Sequence, residues 1–256
     1  MLKKTFCHVK GITRAIEKVL WDSGIEDWSD FFAKAQEIKH LPESKRKEIE
    51  EELIRSEKAL SEGNLQYFKT LLNPKEHWRL AHHGKIAFVD IETTGLSKFN
   101  DEITILGIYD GKTPHIYVNG KNLPEAKEKL KEFDIIVTFN GKQFDIPFIE
   151  QYFSHTYNFI HLDLRYMLKE MGLQGGLKKI ERELGITRDA SIASIDGFEA
   201  INLWNAYKRG NQSALQTLLK YNEEDIVNLK ALLDHYLIEK TGKTEKAEKQ
   251  EPVATV

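Results

Sequence analysis

The sequence predicts an α/β protein: a mixed five-stranded sheet flanked by helices, preceded by a small all-α region. Apolar residues recur at helical spacing up to about residue 83, with no convincing strand. From Lys85 the pattern changes to short β-branched and aromatic runs that alternate with helical segments. The early runs are joined by short links, one carrying the hairpin signal Asp110-Gly111, and are expected to pair antiparallel. The later runs are joined by helices and are expected to lie parallel.

The helical region comes first. Residues 13–21 place Ile16, Val19 and Leu20 on one face, and residues 28–38 do the same with Phe31, Phe32, Ala35 and Ile38. Ser29 or Asp27 is the candidate cap of that second helix. A third helix over 42–60 carries opposite charges at helical spacing and one apolar stripe, Ile49, Leu53 and Leu60. Residues 64–72 and 74–80 close the region, and His82-His83-Gly84 marks a boundary. The expected division is a helical domain over 1–83, an α/β domain over 84–238 and a disordered tail over 239–256, which lacks core-forming residues.

In the second domain, strands are expected at 86–89, 103–109, 115–118, 135–139 and 159–162. Helices are expected at 122–133, 144–153, 164–171, 177–184 and 198–208, and a last one at 213–235 with a break near Lys220. Gly185 is a natural C-cap for the helix that precedes it.

Composition bounds the function. The 256 residues are 41% hydrophobic and 30% charged with a formal net charge of −3, which describes an ordinary globular protein with a real core. The molecule as a whole is not a basic nucleic-acid binder, so any such contact must use a local basic face. The single cysteine, Cys7, allows no intrachain disulfide and fits a reducing, cytoplasmic setting; beside Phe6 and Val9 it reads as a small core residue. No apolar run approaches membrane-spanning length, and no signal-type segment opens the chain, so no membrane association is expected. Oligomeric state is not legible.

The chemistry-bearing residues lie in three separated stretches. Asp90 and Glu92 follow the strand Ile86-Ala87-Phe88-Val89 at i and i+2, which puts both carboxylates on one face. Two anions so placed favour a hard divalent cation with oxygen ligands. Thr93-Thr94-Gly95 then turns the chain away. Asn140-Gly141-Lys142-Gln143-Phe144-Asp145 follows the fourth strand, with Asp145 at a helix start, where the helix dipole favours a carboxylate. Tyr221 and Asp225 stand at i and i+4 of the last helix and share a face.

Together these stretches resemble the DnaQ-like exonuclease superfamily, with its four acids and, here, the tyrosine form of its third motif; position 220, where the histidine form needs His, is Lys220. More closely, Gly176-Leu177-Lys178-Lys179-Ile180-Glu181, Leu203-Trp204 and residues 218–227 resemble the YprB-type ribonuclease H-like proteins. The resemblance covers about residues 85–238 and implies the ribonuclease H-like fold. The leader is also similar to that family's: His77-Trp78-Arg79-Leu80, and residues 8–25, which resemble a helix-hairpin-helix element with Thr13 at the place of the usual second glycine.

The resemblance implies a 3′→5′ exonuclease that hydrolyses phosphodiester bonds with two divalent ions, Mg²⁺ or Mn²⁺. Asp90 would bridge both ions, Glu92 and Asp225 would hold the one that activates water, Asp145 would hold the other, and Tyr221 would orient the water. Thr93, Thr94, Gly95, Asn140, Lys142, Lys10 and Arg14 are candidate nucleic-acid contacts, and Lys178, Lys179 and Arg182 candidate phosphate attractors. Asn140 either orients a metal-binding group or caps the Asp145 helix; His161 and Asp163 either join the site edge or serve the next helix start. The expected partner is nucleic acid with a free 3′ end, DNA ahead of RNA. The alternatives are a structure-selective endonuclease on the same fold and an inactive nucleic-acid-binding module.

Overall fold

The computed structural model describes residues 1–38 and 41–242. These residues group into two compact units. One comprises Met1–Ile86, Lys131–Ile136 and Asn158–Leu162; the other comprises Ala87–Leu130, Val137–Tyr157 and the chain from Asp163 onward.

In the first unit, α1 (Arg14–Asp22), α2 (Trp28–Lys34), α3 (Glu43–Ser61) and α4 (Leu65–Leu71) are followed by a 3-10 helix, Pro74–Leu80. Asp27 caps α2 by accepting from the Asp30 amide at 3.0 Å. The sequence misjudges the inward face of α1: Val19 is 60% exposed and Ile16 also faces outward, while Leu20 and Glu17 are buried. The reason is electrostatic. Glu17 accepts from the Thr5 hydroxyl, the Phe6 amide and Arg79, and Arg79 also pairs with buried Glu76, so a closed charge network turns Glu17 inward. Phe32 is likewise exposed on α2, where Trp28 and Phe31 supply the core contact.

The remaining elements are β1 (Ile86–Thr93), β2 (Ile103–Tyr109), β3 (Pro114–Val118), α5 (Ala126–Leu130), β4 (Ile135–Thr138), α6 (Asp145–Phe153) and β5 (Ile160–Asp163). Then follow α7 (Leu164–Lys169), α8 (Leu177–Glu183), α9 (Gly197–Lys208) and α10 (Gln212–Thr241). The sheet has five strands in the order β3-β2-β1-β4-β5, with β1 at the centre and the β1–β2 and β2–β3 pairs antiparallel. β1 runs on through Asp90 and Glu92 to Thr93, so the acids lie within a central strand rather than beyond its end.

α10 is continuous through Lys220, and no break interrupts it. It packs with α9 over the β2–β3 face, burying Trp204, Leu215, Leu218 and Tyr221 against Ile105, Val118, Ile192 and Ile195. That shared apolar face offsets its weak amphipathic pattern. The helix ends at Thr241 with Gly242 left-handed, three residues into the expected tail; residues 243–256 lie outside those described.

Candidate active site

Strand alternation places Asp90 and Glu92 on one face of β1, and the β2 register sets Asp90 opposite Gly107 and Glu92 opposite Ile105. Gly107 is glycine for a steric reason. A Cβ there would lie 2.2 Å from Asn222 Oδ1 and 3.0 Å from Ile226 Cγ2. Its absence lets α10 settle close over the strand pair, and fully buried Asn222 then donates through Nδ2 to Asp90 Oδ2 at 2.9 Å. One helical turn around Asn222 carries Tyr221 and Asp225 to the same place.

One ligand oxygen each from Asp90, Glu92 and Asp225 lies within 4.8 Å of the others. Asp145, first residue of α6, accepts from the amide of Ile91 through Oδ1 at 3.1 Å. Ile91 sits between the two strand acids, so Asp145 is tied to the strand segment that carries them. Arg188, in the loop after α8, donates to Asp225 Oδ1 and forms a two-pronged pair with Glu181 at 2.6 and 2.7 Å. Lys178 Nζ stands 4.8 Å from the centroid of the Tyr221 ring. A pocket beside the cluster is lined by Lys178, Lys179, Asp196, Tyr221 and Asp225.

Burial and mutual repulsion dominate the electrostatics. Desolvation, then Asp225 and Asp145, push Asp90 and Glu92 well above the usual carboxylate range. Burial raises Asp145 to about 7 against the pull of its backbone hydrogen bonds. Burial raises Asp225 to about 6, held down in part by Arg188. Burial, then Asp225, pushes the Tyr221 phenol up, so it keeps its proton at neutral pH. Clustered carboxylate oxygens without sulfur or imidazole donors fit a hard divalent cation, which would relieve this repulsion.

Most of the other candidate residues are engaged elsewhere. Thr93 Oγ1 donates to the Gly95 carbonyl, while Thr94 Oγ1 bonds Asp101 and Gly95 packs on the Asp101 carboxylate, closing the loop after β1. Asn140 is left-handed and accepts from Arg165, so it does not cap α6; Phe144 stands at that cap and packs on Phe148. Asp163 caps α7 and also accepts from the Asn140 and Lys142 amides, a structural role. The Lys142, Lys179 and Arg182 side chains are exposed. Lys10 and Arg14 belong to the first unit, where Arg14 pairs with Glu76 and the Lys10 carbonyl accepts from Lys45. Sequence reasoning missed Arg188, Asn222 and Gly107 as site residues. Asn222 left a local trace as a polar residue beside Tyr221 on a largely apolar helix stripe, and Gly107 one as a glycine inside an apolar run; Arg188 left none.

A family model described as the RNase_H superfamily matches residues 87–237. Comparison with curated proteins returns no match. Among solved structures the chain is similar to the family B DNA polymerase of the hyperthermophilic archaeon Pyrobaculum calidifontis, with TM-score 0.48 and 15% identity, over 61% of this chain and 24% of the polymerase. It is also similar to Brucella melitensis NrnC bound to pGG, with TM-score 0.44 and 21% identity, over 64% of this chain and 78% of NrnC. A structure described as the apo form of a nuclease gives TM-score 0.47 and 20% identity, over 63% of this chain and 76% of that one.

Proposed function

The chain belongs to the RNase H superfamily, and from that premise we propose that it is a metal-dependent nuclease of the DnaQ-like, YprB-type branch. Its reaction is 3′→5′ exonucleolytic hydrolysis of phosphodiester bonds, with DNA ahead of RNA as substrate. One observation carries the reading: Asp90, Glu92 and Asp225, from a strand and a distant helix, bring ligand oxygens within 4.8 Å, with Asp145 tied to the backbone between the strand acids.

A bound pair of Mg²⁺ or Mn²⁺ ions supplies Lewis acidity toward the attacking and leaving oxygens of an in-line displacement. The protein's share is placement. Asp90, whose carboxylate accepts from Asn222, would be shared by the ions; Glu92 and Asp225 would hold one and Asp145 the other. Tyr221 keeps the proton on its phenolic oxygen and acts as a hydrogen-bond donor that orients the attacking water, not as its base. Lys178 and Lys179, at the pocket rim, draw the phosphate backbone inward.

The test is a cleavage panel of 5′-labelled single- and double-stranded DNA and RNA with Mn²⁺ or Mg²⁺. The expected result is progressive shortening from the 3′ end, abolished in Asp90→Asn. Cleavage of end-blocked circular DNA would replace the exonuclease by an endonuclease. Full activity in Asp90→Asn would remove the metal assignment.

A further inference from the structure

Arg188 lies outside every motif that assembles the acids, yet its side chain is only 5% exposed and reaches into the cluster. Its guanidinium is shared. Nε and Nη2 hold both oxygens of Glu181, at 2.6 and 2.7 Å, and the same Nη2 also bonds Asp225 Oδ1. Nη1 is buried with no hydrogen-bond partner among the described residues. Glu181 is itself 1% exposed and is held from another side by Asn228 Nδ2 at 3.1 Å. The arginine is therefore held by two hydrogen bonds on Glu181 and one on Asp225.

Asp225 is also one of the three carboxylates whose oxygens converge as a cation site. A divalent ion that draws on Asp225 meets a positive charge already in contact with that carboxylate. From this geometry, and resting on the metal reading above, we propose that Arg188 is a resident counter-cation: it neutralises Asp225 when no divalent ion is bound, gives up that carboxylate when one arrives, and so sets the cation affinity of the cluster. Glu181 is the parking partner that keeps the guanidinium in place through the exchange. The arrangement offsets part of the charge of the three clustered acids, and it weakens metal binding by like-charge repulsion.

Calorimetric titration of Mn²⁺ into the full chain tests this, using the wild type, Arg188→Lys and the double variant Glu181→Gln with Arg188→Gln, which removes both charges of the anchoring pair. The double variant is expected to bind the ion several-fold more tightly than the wild type, because the charge in direct contact with Asp225 is lost while the loss of the Glu181 carboxylate offsets only part of that gain. The gain should shrink as salt is added. Arg188→Lys, which keeps the charge, should stay near the wild type. Equal or weaker binding by a double variant that melts like the wild type without metal would overturn the proposal. Nitrogen NMR of the arginine side chains provides a readout on the unaltered protein, with Arg188→Lys giving the assignment. Mg²⁺ should move the Arg188 Nη signal and leave its Nε signal in place; an unmoved Nη signal would overturn the exchange. If neither protein takes up an ion, the metal reading fails and this inference with it. Equal uptake by both removes the inference alone.

Discussion

Glu92 concentrates the conflict at the heart of the site. It is 8% exposed, and burial, then Asp225 and Asp145, raise its proton affinity. Without a cation an ionised carboxylate there costs stability. Glu92→Gln keeps the shape and removes the charge. At pH 8 the metal-free variant is expected to be about 1–2 kcal/mol more stable than the wild type by denaturant unfolding. The same variant should lose the stabilisation that Mn²⁺ gives the wild type. A less stable metal-free variant would mean that Glu92 is held by favourable contacts and not by a bound ion. The sign would be reversed for a structural acid such as Asp163, which accepts three backbone amides and caps α7. Acid motifs are legible in sequence one by one, but which acid is in conflict and which is satisfied depends on the donors that surround it.

The junction of β2 and α10 decides whether the site exists. Gly107 opposes Asp90 across the ladder and leaves room for Asn222, which fixes the Asp90 carboxylate. Gly107→Ala would put a methyl 2.2 Å from Asn222 Oδ1, so the Asn222 side chain must leave its place beside Asp90 or the helix must move off the strand. The expected cost is about 1–3 kcal/mol in a thermal or denaturant melt, together with weaker cation binding through misplaced Asp90. A variant that folds with unchanged Mn²⁺ affinity would show that this close approach does not position the acid. The sequence marks Gly107 only as a glycine inside an apolar run, a pattern equally consistent with a bulge. It marks a break near Lys220 in the last helix, whereas packing against α9 and the sheet keeps Gln212–Thr241 continuous. It also turns the wrong residues of α1 inward, because hydrophobic periodicity cannot foresee that Arg79 and Glu76 will receive Glu17.

For the whole molecule, the acids link stability, pH and cations. Asp145 is raised to about 7 and Asp225 to about 6, whereas both ionise near pH 4 in an unfolded chain. Over that window the folded state holds more protons, so these two groups make the metal-free protein lose stability as pH rises from about 4 to 7. A divalent ion needs the deprotonated groups, so its stabilisation should be small at pH 5 and grow through pH 7, with protons released. At one hundred times the dissociation constant it is expected to reach about 2.7 kcal/mol. Melting curves from pH 5 to 8 with and without Mn²⁺ provide the check, and an equal shift at both ends would break the link. The switch from helices to a mixed sheet and the three stretches that carry the candidate acids are legible in the chain's local patterns. Each is written locally, in a side-chain period or a short motif. That Arg188 reaches Asp225, 37 positions away, that Asn222 holds Asp90, 132 positions away, and that Gly107 makes room for it emerges from packing. Such pairings depend on register and packing between elements distant along the chain, and no local pattern encodes them.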